Sequence, residues 1–301
     1  MSPAPLVSAI VPSYNHARWV EGALRSVLAQ RGLEPGALEV VVVDDGSRDE
    51  SPAILQRLAA EEPRIRLELR QNQGISATFN RGLELARGTW AAYCCSDDRW
   101  DEDHLQRALA ALARDPAAVV SYGRARLLDG AGQAQAGERI FAEFQEREPL
   151  RRLLEEGNGL CFVAAVFRRE AALAAGGFDP GLVVLQDYDL WLKLARAGPA
   201  VHVLEPTVGF RWDGENASGP RATVQKRLDL IRVLERALVE LPELQRDAAL
   251  RAAVEERLRH SHLRVARRLP ERARRREHLR AARRLGAPVW RYWTEMLRTW
   301  V

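Results

Sequence analysis

Four apolar, β-branched-rich runs recur near Val7 to Val11, Leu38 to Val43, Ile65 to Leu69 and Trp90 to Cys95, with stretches of helical spacing between them. A chain that alternates in this way is a βαβ series. Right-handed crossovers then build a mostly parallel sheet flanked by helices. Local chemistry agrees: Ser51-Pro52 offers a capping serine and a first-turn proline for the helix after Asp49, and Gly88 closes the helix that begins near Ile75.

From Arg221 onward the pattern becomes helical. Leu228, Ile231, Leu234 and Leu238, then Leu250, Val254, Leu258, Val265 and Leu269, repeat at helical spacing. The reading is one large α/β domain over residues 1–220 and a basic, mainly helical C-terminal extension over 221–301. A chain of 301 residues is long enough to bury a core of that size. Charge divides at the same place: residues 1 to 220 carry 24 basic and 31 acidic groups, and the remainder carries 21 and 10. Within the extension Arg272 to Arg284 is basic, and Trp290, Tyr292, Trp293 and Trp300 follow. Such a surface suits a peripheral membrane contact or acceptor docking, and equally a solvated helical face or a dimer contact.

Several classes are excluded. With 47% hydrophobic and 29% charged residues the chain is not disordered. Met1 to Ser8 has no positive n-region, and no apolar run approaches the ~20 residues needed to cross a bilayer. The expectation is a cytoplasmic protein, with the basic extension able to reach the inner face of the membrane. No nucleic-acid partner is expected. Cys94, Cys95 and Cys161 match neither a disulfide framework nor a zinc spacing and read as reduced packing residues. No Gly-x-Gly-x-x-Gly follows the first strand, no P-loop occurs, and no Gly-x-Ser-x-Gly elbow is present, so oxidoreductase, P-loop nucleotidase and α/β-hydrolase all lose their characteristic device.

In open α/β sheets ligands bind beyond the carboxyl ends of the strands. The first strand runs into Pro12-Ser13-Tyr14-Asn15, the second into Asp44-Asp45-Gly46-Ser47, and the fourth into Ser96-Asp97-Asp98. Adjacent carboxylates such as Asp97 and Asp98 repel unless a cation or donors compensate them. Mg²⁺ or Mn²⁺ needs only one or two protein carboxylates and completes its shell with phosphate and water. Helix capping by Asp97 or Asp101 is the alternative. Asp44-Asp45-Gly46-Ser47 reads either as a turn or as a carboxylate offered to a base or ribose. Further on, Asp187 and Asp189 open a helix marked by Leu190, Trp191 and Leu194, where capping is again the simpler role.

Taken in order, Ile10-Val11-Pro12-Ser13-Tyr14-Asn15, Val43-Asp44-Asp45-Gly46-Ser47, Asn72-Gln73-Gly74 with Asn80-Arg81-Gly82, Ser96-Asp97-Asp98 and Gln186-Asp187-Tyr188-Asp189-Leu190-Trp191 resemble a family-2 glycosyltransferase. The resemblance covers residues 6 to 215. It implies a GT-A fold, an inverting transfer from a nucleotide-diphosphate sugar, UDP- or dTDP-linked, to a saccharide or lipid-linked acceptor, and a divalent Mn²⁺ or Mg²⁺. By matching position, Pro12, Tyr14, Asn15, Asp45, Asn72 and Gly74 would line the nucleotide, with Asp97 by the ribose or sugar. Asp98 would hold the metal and Asp187 would be the general base. Three positions depart from the family's pattern: Cys95 and Gln186 stand where acids are common, and Asp213 of Phe210-Arg211-Trp212-Asp213 stands where histidine is. Asp213 could replace that histidine as a metal or diphosphate contact. Two other readings stay open: a nucleotide-sugar-binding protein without activity, motivated by Cys95 and Gln186, and a nucleotidyltransferase.

Overall fold

Strands β1 (Val7–Ser13) and β2 (Leu38–Asp44) are buried at every residue, which is why both read as continuous apolar runs rather than alternating ones. The computed structural model describes residues 4–139, 148–212 and 223–287. Between and after these strands come α1 (Val20–Leu28), α2 (Ser51–Glu61), β3 (Ile65–Leu69), α3 (Ile75–Leu85) and β4 (Trp90–Tyr93), in the alternation read from the sequence. The chain continues through β5 (Arg99–Trp100), α4 (His104–Arg114), β6 (Val120–Leu128), β7 (Ala134–Arg139) and α5 (Pro149–Glu156). It then forms β8 (Val166–Arg168), α6 (Arg169–Ala174), α7 (Gln186–Ala197) and β9 (Ala200–Arg211).

The strands form one sheet in the order β3-β2-β1-β4-β8-β6-β9-β5, with β7 paired to β6. The segment β3-β2-β1-β4 is parallel throughout, with Val11 opposite Val42 and Ser13 opposite Asp44. Beyond β4 the sheet is mixed, because β8 runs antiparallel to both β4 and β6 while β9 runs parallel to β6. Two strands of this half, β5 and β8, are only two and three residues long, too short to show a period. Val20, Leu24, Leu105 and Leu112 from α1 and α4 close one core over Val11, Val40 and Val42. A second cluster sets Tyr93 edge-on to Phe79 and stacked on Phe162, at ring distances of 5.2 and 5.1 Å. The buried Tyr93 hydroxyl is satisfied by donating to Phe79 O at 2.7 Å.

Two local expectations change. Ser51 opens α2 but does not cap it; its Oγ accepts the His16 N–H at 3.0 Å and ties the helix to the loop after β1. Gly88 lies past the end of α3, and its role is close approach: a Cβ there would meet Ser8 N at 2.6 Å and Val7 C at 2.8 Å. The same corner buries Glu39, whose carboxylate accepts from Ser8 Oγ at 2.5 Å and from Arg87 Nε at 2.8 Å.

The chain divides into two units, one of Met1–Leu150, Asn158–Gly181 and Gln186–Asp213, the other of Arg151–Gly157, Leu182–Leu185 and Gly214–Val301. The second unit is helical, with α8 (Thr223–Glu240), α9 (Pro242–Arg246), α10 (Ala248–Ala266) and α11 (Arg272–Arg284). Leu263 and Ala266 of α10 pack with Leu279 and Ala282 of α11. Asp229 is buried because its Oδ2 accepts the N–H groups of Val183, Val184 and Leu185 at 2.9, 2.6 and 3.2 Å. His262 Nδ1 and His278 Nδ1 lie 2.8 Å apart, so one must donate and the other accept. No described helix is long and apolar enough to cross a membrane. Trp290, Tyr292, Trp293 and Trp300 lie outside the described residues.

Two outcomes follow. Gly88→Ala should cost about 1–3 kcal/mol, because the added methyl meets backbone that cannot yield, and calorimetry should show Tm lowered by several degrees. Burial, then the His278 charge, holds His262 down to about 4 from its ordinary 6.5. The folded state therefore binds fewer protons than the unfolded one; the stability is complete above pH ~6.5 and is lost as pH falls toward 4. Urea unfolding followed by α-helical signal should lose on the order of 1–3 kcal/mol over that window, and His262→Leu should flatten the dependence.

Candidate active site at the carboxyl ends of the strands

β1 has parallel partners on both edges, β2 on one side and β4 on the other. The winding runs outward from β1 to β2 and β3, then returns to β4, so the loops after β1 and β4 diverge and open a crevice. The residues singled out in the sequence sit on this rim. Pro12 is buried near the end of β1, opposite Val43, and Tyr14 just beyond it is 43% exposed. Asn15 takes a positive φ of 54°, which asparagine tolerates. Its N–H donates to Ser47 Oγ at 2.8 Å and its Oδ1 accepts the Arg48 N–H at 2.8 Å. The loops after β1 and β2 are thereby laced together.

Asp45 is 3% exposed and fully engaged. Its carboxylate accepts the N–H groups of Gln73 at 3.0 Å and Gly74 at 2.8 Å, and Arg70 Nε at 3.0 Å. One side chain thus shapes the loop that carries Asn72 and Gly74 into α3. Gly46 permits the approach: with φ 77° and a would-be Cβ 2.8 Å from Asn72 N, no larger residue fits.

At the end of β4 the chain turns tightly, with the Asp98 N–H donating to Cys95 O at 2.9 Å. Ser96 is buried and its Oγ lies 2.7 Å from His16 Nδ1, joining this loop to the one after β1. Asp98 is 2% exposed, and its Oδ1 accepts the Arg211 N–H at 2.8 Å. Burial, then the neighbouring Asp97 charge, drives the Asp98 carboxyl well above the usual carboxylate range. Arg211, at the end of β9, is 1% exposed. Its Nε donates to Asp97 O at 2.9 Å, and its guanidinium lies 4.8 Å from the Trp19 ring centre.

Asp187 stands in the first turn of α7, partly exposed, with Oδ2 accepting Asn158 Nδ2 at 2.8 Å. Asp189, two residues on, is buried and paired with Lys193 Nζ at 2.9 Å, which marks it as structural. The charges of Asp98 and Asp187 both bear on the buried Cys161 thiol, whose pKa is raised chiefly by burial and also by these two carboxylates. Asp213 lies outside the described residues.

The model of Glycosyl transferase family 2 matches residues 8–174, more than half of the chain. The chain belongs to that family. Among relatives, the chondroitin synthase of Escherichia coli is 29% identical over 222 residues, covering 74% of this chain and 31% of that protein. The succinoglycan biosynthesis protein ExoO of Rhizobium meliloti is 34% identical over 217 residues, covering 68% of this chain and 60% of its own length. This family-2 chain thus spans less than two thirds of both, and under a third of the chondroitin synthase. In fold it matches Staphylococcus aureus TarS 1-349, with a TM-score of 0.71 at 18% identity, covering 98% of this chain and 88% of that one. TarS 1-349 in complex with UDP-GlcNAc gives 0.63 at 18% identity, over 97% and 90% of the two chains. The mannosyltransferase PcManGT of Pyrobaculum calidifontis, in complex with GDP-Man and Mn²⁺, gives 0.58 at 22% identity, over 99% and 85%. The fold of this family-2 chain is the α/β GT-A fold, a mixed sheet flanked by helices.

A divalent metal fits the residues at the end of β4. Among the described residues no three His, Cys, Asp or Glu side chains are grouped as a closed metal site. An ion that completes its shell with phosphate and water needs no such group. Asp97 and Asp98 supply hard oxygen donors, and the burial-raised carboxyl of Asp98 is a group that a nearby cation would return to its charged form. Sequence reading missed Arg211, Asn158 and Arg70. Arg211 lies in the quoted Phe210-Arg211-Trp212-Asp213 run, where a single arginine in an arginine-rich chain carries no signal; Asn158 and Arg70 matter only through partners distant in sequence.

Because the buried Asp45 carboxylate accepts three donors, Asp45→Ala should destabilise the ligand-free protein by about 1–3 kcal/mol, chiefly by leaving the Gln73 and Gly74 N–H groups and one side of the part-buried Arg70 guanidinium without an acceptor. A melting curve recorded without nucleotide checks this. An unchanged Tm would limit Asp45 to a contact with ligand.

Proposed function

We propose that this chain is an inverting, divalent-metal-dependent glycosyltransferase that moves a sugar from a UDP- or dTDP-sugar to a hydroxyl of a saccharide or lipid-linked acceptor. The observation that carries the reading is the contrast between two rim carboxylates, Asp187 partly exposed and hydrogen-bonded to Asn158, and Asp98 buried beside a second acid at the end of β4. The nucleotide would occupy the loops after β1 and β2, with Tyr14 exposed beside it and Asp45 holding the loop of Asn72 and Gly74 in place. Asp187 would take the acceptor hydroxyl proton as that oxygen attacks the anomeric carbon and the bond to the diphosphate breaks. Asn158 would fix the carboxylate for that transfer. Asp98, with Asp97 beside it, would hold the ion, which when bound supplies positive charge against the departing diphosphate. Arg211 lends fixed positive charge to the same loop.

The UDP-GlcNAc complex of TarS and the GDP-Man and Mn²⁺ complex of PcManGT support a nucleotide-sugar donor and a divalent ion. The names of the chondroitin synthase and of ExoO support a place in bacterial surface-glycan synthesis. The reaction is assigned to the cytoplasmic side of the membrane, with the basic segment Arg272 to Arg284 as a peripheral membrane or acceptor contact.

Asp187→Asn should retain nucleotide affinity and Tm while turnover drops on the order of 10²- to 10⁴-fold, the contribution of a positioned general base. A helix-capping role alone predicts unchanged turnover, since asparagine caps about as well. Chelation by EDTA should abolish transfer and Mn²⁺ or Mg²⁺ should restore it, with Asp98→Asn more damaging than Asp97→Asn. Release of nucleoside diphosphate, measured beside free diphosphate, separates this enzyme from a nucleotidyltransferase.

A further inference from the structure

Among the described residues of the second unit, Arg227, Arg264 and Arg268 have no carboxylate partner. Arg264 and Arg268 stand one turn apart at the end of α10, both exposed, and the Arg268 N–H still donates to Val265 O at 2.9 Å, so the turn persists. Arg227 is in the first turns of α8. His262 Nε2 of α10 lies 3.5 Å from Glu235 Oε1 of α8. The short α9 connection returns the chain antiparallel, so about two turns before Glu235 on α8 comes level with the end of α10. Arg227 is therefore beside Arg264 and Arg268.

No carboxylate among the described residues pairs with any of the three, and Arg227 Nε is buried without an acceptor. Burial, then the charges of Arg264 and Arg268, pull the Arg227 guanidinium below its usual range. Like charges held together, one of them half-buried with an unused donor, are a cost that folding alone does not require. An anion relieves both the repulsion and the orphaned donor. Guanidinium forks match phosphate oxygens in geometry as well as charge.

We propose that Arg227, Arg264 and Arg268 form a binding site for a phosphate group, presented either as free phosphate or as the headgroup of an anionic phospholipid. The site lies wholly in the second unit and does not depend on the transferase reading.

The test uses the full chain and two charge-matched triple variants. One is Arg227→Gln, Arg264→Gln, Arg268→Gln; the control is Arg31→Gln, Arg57→Gln, Arg114→Gln, all exposed and in the α/β unit. Tm is measured in phosphate against chloride at equal ionic strength. Co-sedimentation is measured with vesicles of phosphatidylcholine alone and mixed with phosphatidylglycerol. The wild type and the control should be stabilised by phosphate, or bind the phosphatidylglycerol vesicles, or both. The site variant should lose that response, for vesicles on the order of 10²-fold at about fivefold per arginine. Its Tm in chloride should equal or exceed the wild type, because repulsion is removed. Phosphate stabilisation without vesicle binding assigns free phosphate; vesicle binding without phosphate stabilisation assigns the headgroup. Equal losses in both variants, or no response in the wild type, overturn the proposal. Should the triple site variant misfold, Arg264→Gln with Arg268→Gln, both exposed, gives the same reading with a smaller loss.

Discussion

β1 is held by parallel partners on both edges, through Ser13 opposite Asp44 on one side and Ile10 opposite Tyr93 on the other. A strand so placed cannot shift register without breaking two ladders at once, and its end is where the winding reverses. The rim inherits this rigidity. Tyr14, Asn15 and His16 leave this doubly paired strand, and Asp44, Asp45 and Cys94 leave its two neighbours.

What the rim adds is a set of short polar contacts, from exposed to fully buried, that join loops far apart in sequence. Asn15 meets Ser47 and Arg48, His16 meets Ser96 and Ser51, Asp45 meets Arg70, Gln73 and Gly74, and Asp98 meets Arg211. All but the contact of His16 with Ser51, the first residue of α2, join the exit of one strand to the exit of another. Two of these residues are acids, and their burial is compensated unequally. Asp45 is saturated with donors, whereas burial and Asp97 disfavour charge on Asp98. The difference separates a carboxylate that builds the site from one suited to a cation brought by the ligand.

The two units differ in the same currency. The α/β unit gathers acids at its strand ends, while α11 carries seven arginines in thirteen residues. In the second unit Asp229, buried in α8, accepts three successive N–H groups from 183–185, immediately before Gln186 and Asp187 in the chain. The segment leading into the candidate base is thus ordered by a helix that periodicity alone assigned to a separate appendage.

The parallel half of the sheet, the helical extension and the acidic strand ends were legible in the sequence, because burial on both faces leaves continuous apolar runs and because side-chain type is preserved whatever the fold. Family membership followed from the order of Pro12-Ser13-Tyr14-Asn15, Asp44-Asp45-Gly46-Ser47, Ser96-Asp97-Asp98 and Gln186-Asp187. Only the tertiary structure decided that β8 enters antiparallel, that Ser51 and Gly88 serve the contact between elements rather than the helix ends, and that Asp45 shapes its own loop. It alone brought Asn158 to Asp187 and the buried Arg211 to Asp98. Periodicity reports which face of an element is dry, whereas hydrogen bonds between residues some 30 to 110 positions apart depend on where the chain returns, and no local pattern encodes that.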